Sequence, residues 1–168
     1  MAWSASAIFT QAVFNPLTAS AIGFTAKPTG YLTSGLLSDT IKAALFTSSI
    51  TPDKNAAVLS TGYNTAGSQW LQAGEVSDTN WPSGGVALSG KAYSVAAGIV
   101  NFTASNTPGS GNVTLAQVYG CLVYDDTVSG GTVAKQGYCF NYFGGVQSVT
   151  GGTFTIVWDA TGVFKFTT

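Results

Sequence analysis

From Ser38 onward the chain is a succession of strand-sized apolar runs, each closed by turn residues. No segment of crossover-helix length separates one run from the next. Parallel strands need a crossover of a dozen or more residues, so the pattern excludes doubly wound and barrel α/β architectures. It predicts an all-β fold, an antiparallel β-sandwich or a partly open β-barrel. Asp39 to Thr47 reads as a strand, followed by a turn at Thr51-Pro-Asp-Lys54. Val86–Ser89 and Tyr93–Val95 flank Gly90-Lys91, and Ile99–Thr103 precedes a turn-rich stretch at 106–111. Val113 to Tyr124 is apolar on both faces, as suits a strand covered on both sides or bent at Gly120. Val133 to Phe143 reads as a strand broken at Gly137 and ended by Gly144-Gly145. In Thr153–Trp158 the residues Phe154, Ile156 and Trp158 alternate onto one face, and Phe164 and Phe166 do so after Asp159-Ala-Thr-Gly162. This predicts a closing hairpin. Residues 55–85 are the least periodic part, with a short strand expected within Trp70–Val76, or an Ω-like loop anchored by Trp70 and Trp81.

Ahead of this lies a differently textured stretch. Residues 1–36 read as an N-terminal arm, with a short helix expected over Ala7–Phe14, and residues 37–168 as the β domain. The first 26 residues carry no charged side chain. They lack the positive leading region of a signal peptide, and Ser, Thr, Asn and Pro interrupt them too often for a membrane span. The arm is expected to pack either on its own domain or on a neighbouring subunit. At 168 residues the chain suits one domain plus such an arm.

Charge narrows the function. Charged residues make up 8% of the chain, against about 25% in ordinary globular domains. Six lysines are the only basic groups, with no arginine and a net charge of -1. Nucleic-acid affinity rests largely on clustered cationic contacts to phosphate, so a direct nucleic-acid role is not expected, nor is a membrane one. Little like-charge repulsion keeps copies apart, which favours life inside an assembly and a homo-oligomer.

There is no histidine, which removes His-dependent triads and His-ligated zinc. Cys121 and Cys139 are too few for a thiolate metal site or a disulfide framework; in neighbouring strands they are either paired or two buried thiols. Glu75 with Asp78, and Asp125 with Asp126, are the remaining acid–base candidates. Neither spacing carries a glycosidase pattern. Asp125 and Asp126 should point to opposite faces if extended; in a loop they could share a calcium ion. No catalytic residue, cofactor or metal site is assigned. The aromatic residues Trp3, Tyr31, Tyr63, Trp70 and Trp81 have three readings: core or loop anchors, a protein interface, or a glycan platform. Trp3, Phe9, Phe14, Trp70 and Trp81 are the candidate interface residues.

The run Leu37-Ser-Asp-Thr-Ile-Lys-Ala-Ala-Leu-Phe-Thr-Ser-Ser-Ile-Thr-Pro-Asp53 has a familiar look. So do Glu75-Val76, Val86-Ala-Leu-Ser-Gly-Lys91, Val118–Tyr124 with its acidic loop, and Gly152-Thr-Phe-Thr-Ile-Val-Trp-Asp-Ala-Thr-Gly-Val-Phe164. Over roughly residues 37–168 the chain resembles small virion proteins of tailed bacteriophages, described as head decoration, minor capsid or minor tail proteins. The resemblance implies a non-enzymatic β domain on the outside of a capsid or tail, partnered by the major capsid protein or other virion subunits. Segments 39–53 and 153–164 would then be scaffold. A tail or head-fibre component with a receptor- or glycan-binding role is the alternative.

Overall fold

The computed structural model describes residues 3–9, 36–97, 99–130 and 133–167. The fold is all-β. Its strands are β1 (Ala7–Ile8), β2 (Ile41–Phe46), β3 (Glu75–Val76), β4 (Val86–Ala87), β5 (Ala92–Ala96) and β6 (Ile99–Thr103). They continue with β7 (Thr107–Pro108), β8 (Val113–Asp125), β9 (Gly137–Gly152), β10 (Thr155–Ile156) and β11 (Phe164–Thr167). All pairings are antiparallel. The main sheet runs β1-β9-β8-β2-β3, with β4 also on β2; a three-stranded sheet runs β11-β6-β5, and β7 pairs with β10. The sheets do not close into a barrel.

The centre of the main sheet is covered on both faces, and the sequence dictates which residue faces which way. Successive side chains of a strand alternate. Ile41, Ala43 and Leu45 of β2 join Cys121 and Val123 of β8 in one core. Ala44, Phe46, Leu122 and Tyr124 enter the other. The first core is roofed by the smaller sheets, through Phe102, Ile156 and Phe164. No sheet lies above the second among the described residues. Trp3, Phe9, Ile50, Tyr63 and Trp70 close it instead.

This corrects the expected roles of the chain's opening residues. Ala7–Ile8 is not helical but a two-residue strand on β9, with Ala7 opposite Phe140. Trp3 and Phe9 are buried, so residues 3–9 pack on their own β domain, the first of the two placements expected. The remainder of the expected helix, through Phe14, lies outside the described residues.

The predicted closing hairpin is also different. The alternation holds: Ile156 is buried, Phe154 and Trp158 are half-buried, and Thr153, Thr155 and Val157 are exposed. The partner, however, is not the other arm of the turn. β10 pairs with β7 and β11 with β6. Residues 99–108 thus run antiparallel to 155–167, and 157–163 loop out between the two pairings. Asp159 still reverses the chain, its carbonyl accepting from the Gly162 N–H at 2.8 Å. Periodicity specifies the buried face, and both halves bury that face best against β6 and β7.

Gly144-Gly145 does not end β9, which continues to Gly152. Gly144 has φ +77, and the ladder with β8 shifts register between Val118 and Gly120. The glycines are absorbed as a bulge. The turn expected at 51–54 forms two residues later, where the Asp53 side chain accepts from the Asn55 N–H at 2.8 Å and its carbonyl from the Ala56 N–H. Within Trp70–Val76 a single 3-10 turn (Gln72–Gly74) leads into β3.

Candidate functional site

Glu75 is held at both of its carboxylate oxygens. One oxygen accepts from the Tyr63 hydroxyl and the Ser83 hydroxyl, each at 2.7 Å, and the other from the Gly84 N–H at 2.7 Å. The Gln72 amide donates to Ser83 Oγ at 2.9 Å. Tyr63 stacks on Tyr124 with ring centroids 4.6 Å apart, and the Tyr124 hydroxyl donates to the Gly84 carbonyl at 2.7 Å. Burial raises both phenols above their ordinary value, keeping them neutral donors. Gly85, at φ +78, lies so close to the Ala43 carbonyl that a Cβ would overlap it. The cluster therefore clamps the irregular 55–85 segment onto β2 and β8. A carboxylate holding three donors on two oxygens is occupied by structure, and its expected companion Asp78 looks elsewhere. Asp78 accepts from the Asn80 N–H at 3.0 Å and the Thr114 N–H at 3.1 Å.

The other acidic pair splits as its adjacency predicts. Asp125 is buried, accepting from the Thr127 N–H at 2.9 Å and, weakly, from the Tyr138 hydroxyl at 3.4 Å. Asp126 faces Lys42 at 2.7 Å and Lys135 at 3.6 Å. The two do not converge on a shared ion. Among the described residues no group of three or more His, Cys, Asp or Glu side chains could hold a metal. Cys121 and Cys139 are free and buried. Cys121 sits opposite Asn141 and Cys139 opposite Val123, so the thiols are diagonal neighbours. Such positions stand roughly 7–8 Å apart, beyond the reach of an unstrained disulfide. Burial pushes the Cys121 thiol up to about 12 and Cys139 higher still.

The candidate interface residues are not on the surface. Trp3 is 2% exposed, and Phe9, Trp70 and Trp81 are each 0% exposed. Trp70 meets Trp3, Phe9, Phe46 and Phe140 at 5.1–5.9 Å between ring centroids. Trp81 lies in the opposite core, edge-on to Phe154 at 5.4 Å. Trp3, Phe9 and Trp70 are buried because they cover the second face of the sheet, over which no strand lies among the described residues. Phe14 and Tyr31 lie outside the described residues.

What the surface does offer is the far half of the β8–β9 ribbon. β2 pairs with β8 only over Gly120–Asp125, and β1 with β9 only at Cys139 and Phe140. Beyond those points, residues 113–119 and 143–152 have no further strand partner among the described residues. One face of this ribbon is anchored, with Leu115 opposite Val149 against the core. The other face presents Thr114, Ala116, Val146, Ser148 and Thr150, all exposed. No charged side chain occurs between Lys91 and Asp125 or between Lys135 and Asp159. That charge-free spacing was the sequence signal for this surface, and the aromatic residues drew attention away from it. A shallow groove of about 360 Å³ lies nearby, lined by Ile8, Cys139, Asn141, Thr161, Phe164 and Lys165 among others. Its thiol is held protonated by burial, and Lys165 is the only Lys, Asp or Glu among its lining residues.

No protein-family model, curated protein or solved structure matches the chain.

Proposed function

We propose that this chain is a non-enzymatic virion structural subunit of a tailed bacteriophage, bound in many copies to the head as a decoration or minor capsid protein. The observation that carries the proposal is the uncharged, partly unpaired β8–β9 ribbon on an otherwise charge-poor surface. Isolated proteins usually guard a strand edge with lysine, proline or cover. A ribbon without such guards suits a chain whose edges are met by neighbours. The likeness of segments 37–53 and 152–164 to small tailed-phage virion proteins supplies the setting. The carboxylates Glu75, Asp78, Asp125 and Asp126 are each engaged in holding loops or ion pairs, which supports work done by shape rather than chemistry. The cue for a glycan platform was the aromatic, glycine-rich region at 62–85, and its Trp70 and Trp81 rings are buried.

Purified chain is mixed with empty heads that lack it, and the pelleted particles are reconstructed by electron microscopy. Ordered extra density at repeated capsid positions is the expected result. Density confined to the tail would move the subunit there, and failure to co-sediment with heads or tails would end the virion reading.

A further inference from the structure

We infer that two copies of this chain pair edge to edge through residues 146–150 of β9, antiparallel about a two-fold axis at Ser148. The inference rests on the multi-copy reading and names its contact. The hydrogen-bonding directions come first. The Gly151 N–H donates to Thr114 Oγ1 at 3.1 Å, so the Thr150 carbonyl, anti to it across the same trans peptide bond, points away from β8. Backbone groups alternate in direction along a strand, so Val146, Ser148 and Thr150 direct their N–H and C=O groups away from β8, to the side with no strand partner among the described residues. Water is their default partner there, and only an extended segment can satisfy the whole row.

The sequence says which segment fits. Gly144-Gly145 and Gly151-Gly152 are placed symmetrically about Ser148. In an antiparallel pairing centred on that residue, Ser148 meets its own copy, Val146 meets Thr150, and each glycine pair meets the other. This register exchanges about six backbone hydrogen bonds. It sets β-branched Val146 beside β-branched Thr150, a favourable cross-strand pair, and shields Val146, which is 53% exposed in the single chain. Bare glycines facing bare glycines at both ends put no side chain in the way of the approach. Charge selects in the same direction. With no ionised group between Lys135 and Asp159, a second copy brings no like charge to the seam, whereas a charged strand would have to bury its charges. So short an edge covers well under the roughly 1,200 Å² of a stable complex. The pair is therefore weak in dilute solution and persists where many copies are held together.

Sedimentation velocity of the full chain over a concentration series tests this. The expected result is a concentration-dependent monomer–dimer equilibrium that the double variant Val146→Lys/Thr150→Lys weakens at least about tenfold, with the thermal melt unchanged because both positions are exposed. Under mild oxidation Ser148→Cys should give a symmetric covalent dimer, while Ser129→Cys, on the loop after β8, should not. The native thiols are buried, so the crosslink reports on the introduced one. A chain that stays monomeric at the highest concentration, or a dimer that the lysine pair leaves intact, overturns the inference. Binding to heads is scored separately with the same variants: a monomeric chain that still decorates heads defeats the pairing and leaves the virion reading standing, and a dimer that ignores heads does the reverse.

Discussion

Replacing Trp70 with alanine should be among the most damaging single changes in this chain. Its ring is fully buried and touches four other aromatic rings. An aromatic side chain of this size buries on the order of 150–250 Å². At about 25 cal/mol per Å² that is about 4–6 kcal/mol of transfer free energy before any relaxation. Measured Trp-to-Ala losses in cores run about 3–5 kcal/mol. The upper part of that range applies here, because among the described residues loops and the leading segment, rather than a second sheet, cover this face. A domain of this size holds about 5–15 kcal/mol in all. A loss of 4–5 kcal/mol would lower the melting temperature by about 10–20 °C. Urea titration followed by far-UV circular dichroism gives the free energy, with Trp70→Phe as the milder control. A loss below about 1 kcal/mol would mean that the ring covers nothing, and the account of the second core would fall with it.

Glu75→Ala should cost about 2–3 kcal/mol, because it strands the Tyr63 hydroxyl and the Gly84 N–H; the same titration reads it, and an unchanged midpoint would show that water replaces the clamp at no loss. Burial lifts the Asp125 carboxyl above its ordinary value of 3.8, so the folded chain holds a proton that the unfolded chain has released. Its contribution to stability therefore falls as pH rises from about 3.8 through the folded value. Asp125→Asn should be level with the parent below that window and more stable than it at neutral pH; equal pH profiles for the two proteins would refute the shift. Cys121 and Cys139 should react with iodoacetamide at pH 8 only on unfolding, and reductant should leave the melting temperature unchanged. Rapid labelling of the folded chain would contradict their burial.

The fold class was legible because it depends on periodicity and punctuation, both local properties. The two-sided burial of Val113–Tyr124 followed from its unbroken apolar run, and the buried faces of 154–158 and 164–166 followed from alternation. Partners were not legible. Nothing in Thr153–Phe166 states that its two halves pair with β7 and β6 rather than with each other, since strand pairing is decided by which long-range contact buries more surface. Gly144-Gly145 shows the same limit from the other side, because a glycine pair reads equally as an end or as a bulge until the neighbouring strand is known. The aromatic residues left core anchor, interface and glycan platform open for a different reason. Trp3 and Trp70 stand in polar, aperiodic surroundings, which fit a loop anchor as well as an interface, and in the fold they cover the sheet face over which no strand lies among the described residues. Glu75 stood out only as an acid–base candidate with Asp78; its clamping role was not legible, because its partners at 63, 83 and 84 meet only after folding.

The 157–163 excursion has a practical consequence. The ladder resumes on either side of it, so its length is not constrained by the register of β6, β7, β10 or β11. Lengthening an exposed loop is inexpensive, about 0.6 kcal/mol for each doubling. Ala160 and Thr161 are both solvent-facing, and foreign sequence spliced between them would be carried outward on a scaffold that need not readjust. If the chain coats particles in many copies, that joint is where a displayed peptide or a new specificity could be added one substitution at a time.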